Sequence, residues 1–463
     1  MIAPDLNQPI PENLGRVHFI GIGGSGMSGI ARMYVERGLA VTGSDRSESA
    51  TTAALRDLGV EVHIGHEPTL VMSADTVVVT GALWEDNPEY RWAIDHGIPV
   101  LHRSLALHWL SRNSRVIAVA GAHGKTTSTG MVVTALHGVG VSPSFVNGGV
   151  VSAMGVSAAT GADREFVLEA DESDGSFLLY NAAIGLITNI DTDHLETYGT
   201  MEAFDDAFVT FANGCTEMVV VSSDDPHLSR LRSRITAPTM SFGEDDNADI
   251  RVSDIVASAS GVTATLHHGL SHASLVLTVA GRHNALNAAG AVAVLVAMGY
   301  PLADAASALV DFGGTGRRFE WHGERRGVQV YDDYAHHPRE VRAALATARS
   351  VVGDGRVIAI HQPHLYSRTR DMAGEFAAEY ERAADFTVVL DVYGAREDPI
   401  SGVSGELVSN AFADHAKVAY CPNWSDAARV AAEFARDGDL IMTLSCGDVY
   451  RIIPQVLSAL DAS

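Results

Sequence analysis

Lysine is rare in this chain, and one lysine stands in a pattern typical of phosphate binding. Lys125 and Lys417 are the only lysines among 463 residues, and Lys125 follows the turn Gly121-Ala122-His123-Gly124 at the end of an apolar run. Backbone N–H groups of such a turn hold ATP phosphates, the lysine neutralises the β and γ oxygens, and the hydroxyl that follows, here Thr126, binds Mg²⁺. Val119 occupies the first glycine position of a strict GxxxxGK[ST] loop. The turn therefore predicts ATP binding, and an accidental glycine turn is the weaker alternative.

A second glycine-rich turn lies near the N-terminus. Gly21-Ile22-Gly23-Gly24-Ser25-Gly26 is a GxGxxG pattern between a predicted strand and a predicted helix. Its glycines permit a tight turn and a close approach of the backbone to a diphosphate at the helix N-terminus. Asp45 ends the next predicted strand and is placed to accept from a ribose hydroxyl. The pattern predicts a dinucleotide or nucleoside diphosphate site without separating NAD from UDP, and a structural glycine turn is the alternative.

Ligands for a hard metal ion follow two apolar strands of the central segment. The stretch FVLEADESD places Glu169, Asp171, Glu172 and Asp174 after one strand, and TNIDTDH places Asp193 and His194 after another. In an open parallel sheet the carboxyl ends of the strands and the phosphate loop line one crevice. Carboxylates there would hold Mg²⁺ against nucleotide phosphates. A solvated acidic loop is the alternative interpretation.

Three α/β segments must position these residues. Strands and helices alternate from Arg16 to about residue 112, and RVIAVAG opens a second segment that includes short β-like stretches over 249–280. The glycine-rich connector FGGTGRRFEWHG marks a boundary near residue 318, and βα units follow it. We therefore predict parallel sheets in three domains, residues 1–112, 113–318 and 319–463.

Composition excludes several classes of protein. The formal net charge of −25 argues against a nucleic-acid partner, because such partners are held by lysine and arginine. No apolar run approaches the roughly 18 residues of a membrane span, and the N-terminus lacks the pattern of a secretion signal. Cys215, Cys421 and Cys446 are scattered and encode neither a disulfide framework nor a CxxC site. We expect a cytoplasmic protein that does not insert into membranes.

Eight motifs together resemble those of the Mur ligases and occur in the same order. They are GIGGSGMSGIA, GAHGKTT, EADESD, TNIDTDH, GRHNALNA, RRFE, DDYAHHP and QPHLYSRTRD. The resemblance as a whole extends from Val17 to about Asp448. The resemblance implies an N-terminal Rossmann-like UDP-binding domain, a central P-loop ATPase domain and a C-terminal Rossmann-like domain. It also implies ATP-dependent joining of an amino acid to a UDP-linked muramic acid, with Mg²⁺.

Residue roles follow from the resemblance position by position. The resemblance implies substrate contacts for Gly23, Ser25, Gly26 and His123 and ATP contacts for Lys125 and Thr126. The glycine-rich patterns themselves add Asp45 to the predicted substrate contacts and Gly121, Gly124 and Thr127 to the predicted ATP contacts. Mg²⁺ would be held by Thr126, Glu169 and His194. Adenine contacts are implied for His283, Asn284 and Asn287, although the asparagines could instead cap a helix. Arg317 or Arg318 should reach an ATP phosphate, Asp333 the ribose, and His336 and Arg368 the incoming amino acid.

The absence of a second lysine from the central domain indicates the branch of the family. Sister ligases use a carbamylated lysine beside a second Mg²⁺, and here no lysine lies between Lys125 and Lys417. This favours the branch that adds L-alanine to UDP-N-acetylmuramate, with a tripeptide-recycling ligase as the alternative and an NAD-dependent oxidoreductase as the alternative of another class. Leu365 replaces an arginine found in several members, which moves the expected anion contact to Arg368 or Arg370. His194 and His336 both remain possible bases for the amine, and we expect a monomer or weak homodimer.

Overall fold

A computed structural model describes residues 2–191, 195–395 and 397–462. His194, predicted to bind metal and to act in catalysis, lies outside the described residues, and so does the side chain of Ser25. The chain forms two compact units. The first comprises Met1–Asp254, Ala264–Leu275 and Leu286–Phe312, and the second comprises Ile255–Thr263, Val276–Ala285 and Gly313–Ser463.

The N-terminal part of the first unit is a parallel sheet flanked by helices. Its elements are β1 (Val17–Ile20), α1 (Ser25–Glu36), β2 (Val41–Asp45), α2 (Ala50–Asp57), β3 (Glu61–Ile64), β4 (Thr76–Val79), α3 (Pro88–Asp95), β5 (Val100–His102) and α4 (Arg103–Ser111). The strand order is β3-β2-β1-β4-β5, and every pairing is parallel. The order reverses beside β1, so the glycine-rich turn that follows β1 opens into the crevice where such sheets bind ligands.

A larger sheet follows along the chain. Its elements are β6 (Arg115–Ala120), α5 (Lys125–Gly138), β7 (Ser144–Val151), β8 (Val156–Ala159), β9 (Glu165–Glu169), β10 (Ala182–Ile187), α6 (Leu195–Tyr198), α7 (Met201–Gly214), β11 (Met218–Ser222), α8 (Pro226–Leu231), β12 (Thr239–Gly243), β13 (Ile250–Ser258), β14 (Gly261–His268), β15 (Ser271–Leu277), α9 (Arg282–Ala297) and α10 (Leu302–Ser307). The order is β15-β14-β13-β12-β11-β10-β6-β9-β7-β8.

The position of β6 in this sheet brings the predicted site together. Strand β6 pairs in parallel with β9 on one side and β10 on the other. The acidic stretch after β9 and the TNID stretch after β10 therefore flank the phosphate loop after β6. All of these strands are apolar and buried, as expected for a parallel sheet covered on both faces.

A third sheet fills most of the second unit. Its elements are β16 (Glu320–Arg325), β17 (Val328–Asp333), α11 (Pro338–Val352), β18 (Val357–His361), α12 (Tyr366–Ala383), β19 (Phe386–Val389), α13 (Glu406–Asn410), β20 (Val418–Tyr420), α14 (Trp424–Phe434), β21 (Leu440–Leu444) and α15 (Ile453–Ala462). The order is β16-β17-β21-β18-β19-β20, parallel except for the β16–β17 pair. Short 3₁₀ helices occur at Pro68–Val71, Ser176–Leu179, Arg232–Arg234, His415–Lys417 and Val449–Ile452.

The predicted fold class is confirmed, with two corrections to individual elements. The predicted connector over residues 312–323 ends inside a strand, because β16 begins at Glu320 and pairs antiparallel with β17. The central sheet also contains β7 and β8, an antiparallel pair that the sequence pattern did not indicate. Phe177, in the 3₁₀ helix after β9, is fully buried, with its ring 5.2 Å from that of Phe208. In the described part of the chain no helix is long and apolar enough to cross a membrane.

Candidate active site

The glycine-rich turn after β1 is held against the end of β2. The N–H groups of Gly21 and Ile22 donate to Ser44 O at 2.8 and 3.0 Å. Gly23 N donates to Asp45 Oδ2 at 2.9 Å, and a Cβ on Gly23 would lie 2.9 Å from the same oxygen. Only glycine therefore fits at this point of the turn. The other oxygen of Asp45, Oδ1, accepts from Ser47 N at 3.3 Å, and the contact of Asp45 with a ribose remains a prediction.

Helix α1 begins directly after this turn. Its N-cap is Gly24, which offers no side chain to the first backbone N–H groups, and its first turn carries no acidic residue. Gly26 lies in that first turn. The positive end of the helix dipole is thus free of a protein carboxylate on its own helix, which suits an anionic ligand.

The phosphate loop after β6 has the backbone that its glycines predict. Gly121 has φ 132° and Gly124 has φ 81°, both in the region that glycine favours. A Cβ on Gly121 would lie 2.1 Å from Thr188 Oγ1. His123 N donates to Asn189 Oδ1 at 2.9 Å, and Asn189 Nδ2 donates back to His123 O at 2.9 Å. The end of β10 therefore fixes the loop from outside.

Lys125 is turned toward its own loop and toward a buried carboxylate. Its Nζ donates to Gly121 O at 2.6 Å and to Glu172 Oε1 at 2.8 Å. The side chain of Glu172 is 1% exposed. Burial alone would lower the pKa of Lys125, but the charges of Glu172, Asp171 and Glu169 raise the pKa above its usual value. The lysine is therefore a cation at neutral pH, as phosphate binding requires.

Thr126 and Glu169 meet at the start of α5. Thr126 Oγ1 donates to Glu169 Oε1 at 3.1 Å, and Gly148 N donates to Glu169 Oε2 at 2.8 Å. A Cβ on Gly148 would lie 2.6 Å from that oxygen, so the strand can approach the carboxylate only because it carries glycine there. The hydroxyl and carboxylate oxygens are ligands that Mg²⁺ prefers. The next residue, Thr127, is buried in the first turn of the same helix.

Asp171, in the acidic stretch after β9, pairs with the first residue of α4. Asp171 Oδ2 accepts from Arg103 Nη2 at 2.7 Å. Burial would raise the pKa of Asp171, but Arg103 and Lys125 hold the pKa well below its usual range. On the other side of the phosphate loop, His123 Nε2 lies 3.1 Å from Asp191 Oδ2.

The residues predicted to contact adenine lie along α9. His283 and Asn284 are in its first turn, and Asn284 Nδ2 donates to Ala280 O at 2.7 Å. Asn287 is one turn further and belongs to the first unit. A Cβ on Gly124 would lie 2.8 Å from Asn287 Oδ1, so this amide borders the phosphate loop. Since α9 begins at Arg282, Asn287 lies too far inside the helix to be its N-cap.

Two neighbouring arginines of the second unit have different surroundings. Arg317 Nε donates to Asp332 Oδ2 at 2.9 Å, and its other nitrogens donate to Gly447 O at 2.9 Å and Ser445 O at 2.6 Å. These contacts tie Arg317 to the sheet. Arg318 stacks over the ring of Tyr334, with its guanidinium carbon 5.0 Å from the ring centre. The guanidinium carbon of Arg317 lies at the same 5.0 Å from that ring centre, and Arg318 Nη1 lies 3.9 Å from Glu340 Oε1, so the phosphate contact of Arg317 or Arg318 stays a prediction.

Asp333 and His336 follow the end of β17. Both oxygens of Asp333 accept backbone N–H groups, from Phe319 and Ala335 at 2.8 Å each, and burial raises the pKa of Asp333 to about 6. His336 Nδ1 lies 3.0 Å from Tyr334 O. Because a carbonyl only accepts, this contact places the proton on Nδ1 and the lone pair on Nε2.

The electrostatic surroundings of His336 favour its neutral form. Burial lowers the pKa of His336 to about 4, Glu340 opposes this effect, and the positive charge of Arg368 adds to it. Arg368 lies in the first turn of α12, after Leu365 with φ 69°. The structure thus groups the predicted residues into a loop cluster in the first unit and a second cluster after β17.

The chain matches three family models in succession. The Mur ligase family catalytic domain matches residues 16–115, the Mur ligase middle domain residues 119–295, and the Mur ligase glutamate ligase domain residues 317–447. The chain belongs to the Mur ligase family, and the predicted resemblance is confirmed. It is 62% identical over 461 residues to a UDP-N-acetylmuramate–L-alanine ligase of Clavibacter michiganensis, covering 100% of this chain and 97% of that protein.

Solved structures agree with this relationship. The UDP-N-acetylmuramate-alanine ligase MurC from Thermotoga maritima is 29% identical with a TM-score of 0.83, covering 96% of this chain and 98% of that one. A murein peptide ligase from Psychrobacter arcticus is 25% identical with a TM-score of 0.74, covering 97% of this chain and 99% of that one.

Proposed function

We propose that this chain joins L-alanine to the lactyl carboxylate of UDP-N-acetylmuramate in peptidoglycan synthesis, with conversion of ATP to ADP and phosphate. The observation that carries the proposal is the phosphate loop with its charged Lys125 and the adjacent Thr126–Glu169 contact, in a chain 62% identical to an enzyme of that name. The greater similarity to alanine ligases than to the murein peptide ligase favours L-alanine over a tripeptide as the amine. An NAD-dependent oxidoreductase would leave this phosphate loop without a use.

The chemistry begins with activation of a poor electrophile. A carboxylate repels nucleophiles, and its oxygen is a poor leaving group. A carboxylate oxygen of the muramyl substrate attacks the γ-phosphorus of ATP, the bond to ADP breaks, and an acyl phosphate forms. Lys125 neutralises charge on the moving phosphoryl group, and the positive N-terminal end of α5, which begins at Lys125, attracts the β and γ phosphates.

Formation of the amide completes the reaction. The neutral amine of L-alanine attacks the acyl carbon, and the tetrahedral intermediate expels inorganic phosphate. A base must take the amine proton. His336 offers a lone pair on Nε2 for this step, but burial lowers its pKa to about 4, which keeps it neutral and also makes it a weak base. His194 remains the alternative base, and Arg368 is proposed to bind the carboxylate of the amino acid.

The residues around Glu169 fit a magnesium ion. Thr126 Oγ1 and Glu169 Oε1 are already within 3.1 Å of each other at the phosphate loop, so both oxygens face one position. Thr126, Glu169 and, by family resemblance, His194 would hold the ion. When bound, it would supply positive charge that neutralises the phosphate oxygens.

The remaining roles complete the proposal. Gly23, Ser25 and Gly26 bind the UDP diphosphate, Asp45 binds the ribose, and His123 lies near the muramyl group. Asn287, with His283 and Asn284, contacts adenine, Arg317 or Arg318 contacts an ATP phosphate, and Asp333 contacts the ribose of ATP. The boundaries 1–112, 113–318 and 319–463 separate the three domains. We further propose that the enzyme acts in the cytoplasm as a monomer or weak homodimer.

A comparison of amine substrates tests the proposed function. Phosphate release from ATP and Mg²⁺ is measured with UDP-N-acetylmuramate and either L-alanine, L-Ala-γ-D-Glu-meso-diaminopimelate or no amine, and the UDP product is weighed by mass spectrometry. The proposal predicts release with L-alanine and a product heavier by one alanine residue. Release with the tripeptide alone would assign the chain to peptide recycling, and no release with either amine would contradict a ligase function.

A further inference from the structure

Arg103 lies between the two ligand-binding loops of the first unit. It is the first residue of α4, directly after β5. Its Nη2 donates to Asp171 Oδ2 at 2.7 Å. Its Nη1 lies 3.2 Å from the point that a Cβ on Gly26 would occupy. One edge of the guanidinium therefore holds the acidic stretch after β9, and the other edge lies over the first turn of α1.

The ion pair with Asp171 does not use all the binding capacity of Arg103. A guanidinium presents several N–H donors in a planar fork, and the nitrogen on the Gly26 side is separate from the one that binds Asp171. The Arg103 side chain is 30% exposed, so an incoming ligand can reach it. A second charged hydrogen bond beside the α1 N-terminus is therefore open to an anion.

The neighbouring residue gives an independent indication of a ligand at this edge. The side chain of His102 is 2% exposed, and within the described residues its Nε2 is buried without a hydrogen-bond partner. This nitrogen lies 3.2 Å from the point that a Cβ on Gly81 would occupy, at the end of β4, and 3.9 Å from Asp174 Oδ2. Buried polar atoms are rarely left unsatisfied, so the polar edge formed by His102 and Arg103 is suited to a ligand.

Position and charge together identify the ligand group. The N–H groups from Gly21 to Gly24 are used inside the turn, so the anion-attracting feature is the start of α1, whose N-cap adds no side chain and whose first turn carries no acidic residue. An arginine beside such a helix start can bind phosphate oxygens through two parallel N–H bonds. In a chain with a net charge of −25, a local cation is needed to offset the repulsion of a diphosphate.

We propose that Arg103 binds the diphosphate of the UDP-linked substrate, with Asp171 holding the guanidinium in orientation. This inference rests on the proposed function, because it takes the UDP-sugar as the occupant of the glycine-rich turn. Asp171 is adjacent to Glu172, the partner of Lys125, so the same guanidinium links the diphosphate site to the ATP loop.

Ligands of graded charge separate this role from a structural one. Binding of uridine, UDP, UDP-N-acetylmuramate and ADP is measured by titration calorimetry on the full chain and on Arg103→Met, Arg103→Lys and Asp171→Asn. Arg103→Met should weaken UDP and UDP-N-acetylmuramate by roughly 10- to 100-fold, because a charged hydrogen bond is lost. Uridine and ADP should bind as they do to the unchanged protein. Arg103→Lys should recover part of the loss, and Asp171→Asn should weaken UDP less than Arg103→Met does.

The remaining outcomes are distinguishable. Equal UDP affinity in Arg103→Met and the unchanged protein would overturn the role of Arg103 while leaving the proposed function intact. Equal losses for uridine and UDP, or a loss for ADP alone, would also overturn it, in favour of a structural role or an ATP contact. If the unchanged protein bound neither UDP nor UDP-N-acetylmuramate, the proposed function itself would fail. A melting temperature for Arg103→Lys equal to that of the unchanged protein controls for folding.

Discussion

The buried pair of Lys125 and Glu172 should stabilise the first unit as well as prepare the ATP site. Their side chains are 14% and 1% exposed, and Nζ lies 2.8 Å from Oε1. Removing one partner of a buried ion pair costs about 3–5 kcal/mol, because the other charge stays buried without compensation. Because the Lys125 side chain is slightly exposed, we expect Lys125→Met to lower the free energy of unfolding by about 3 kcal/mol, near the lower end of this range.

The partner substitution separates this cause from lost packing. In Lys125→Met with Glu172→Gln, residue 172 is neutral and needs no cation. In Lys125→Met alone, the carboxylate of Glu172 stays buried without a counter-ion and carries its full desolvation cost. We therefore expect the double variant to recover at least about half of the lost stability. One kcal/mol shifts the melting temperature by about 2–4 °C in a domain of roughly 150–250 residues. Lys125→Met should therefore melt on the order of 10 °C lower.

The assay is urea and thermal unfolding without nucleotide. Lys417→Met is the matched control, because within the described residues Lys417 Nζ donates only to Glu381 O, at 3.3 Å, so its loss should change stability little. The raised pKa of Lys125 means that the stabilisation is present at neutral pH and is lost only as pH rises through that raised value. If Lys125→Met were as stable as the unchanged protein, or if the double variant lost the sum of the single effects, the reasoning would be refuted.

Three further changes test other parts of the structure. Glu169→Gln should abolish phosphate release while UDP-N-acetylmuramate still binds in calorimetry, and retained activity would remove Glu169 from the mechanism. Gly121→Ala should destabilise the chain by about 1–3 kcal/mol in urea, because the position has φ 132° and the new Cβ would meet Thr188 Oγ1; an unchanged midpoint would contradict this. Burial lowers the pKa of His361 from 6.5 to about 3, so on acidification this histidine is protonated in the unfolded chain before it is protonated in the folded chain. The free energy of unfolding should therefore fall as pH drops below about 6.5, by on the order of 3 kcal/mol at about pH 4.5. His361→Gln should flatten that decline in pH-dependent unfolding, whereas the exposed His272→Gln should not, and equal slopes would exclude His361 as its source.

Much of the fold and the ATP loop could be predicted from local patterns. Apolar runs bounded by glycine turns identified the parallel strands, and the rule that ligands bind at strand carboxyl ends correctly brought the stretches after β9 and β10 to the phosphate loop. The need for glycine at position 121 could be predicted for the same reason, because the backbone conformation of a turn is set locally. Element types therefore followed from sequence wherever periodicity and turn chemistry agreed.

Contacts between segments that are distant in sequence could not be predicted in this way. Glu172 was grouped with possible metal ligands, and only the folded chain places it on Lys125. Arg103 carries no motif of its own, and its contact with Asp171 depends on how α4 and β9 meet. Gly148 left one signal, a glycine within an apolar stretch, that could have indicated a close approach to the carboxylate of Glu169. The antiparallel strand β16 was not predicted, because its sequence EWHGER contains a glycine and charged residues and resembles a connector.

Oxygen transfer from substrate to phosphate tests the central claim most directly. UDP-N-acetylmuramate labelled with ¹⁸O in both lactyl carboxylate oxygens is turned over with ATP, Mg²⁺ and L-alanine, and the released phosphate is analysed by mass spectrometry. If the carboxylate attacks the γ-phosphorus, one labelled oxygen should appear in each phosphate and the other should remain in the new amide. Unlabelled phosphate accompanying alanine ligation would contradict an acyl phosphate and the roles assigned to the Lys125 loop.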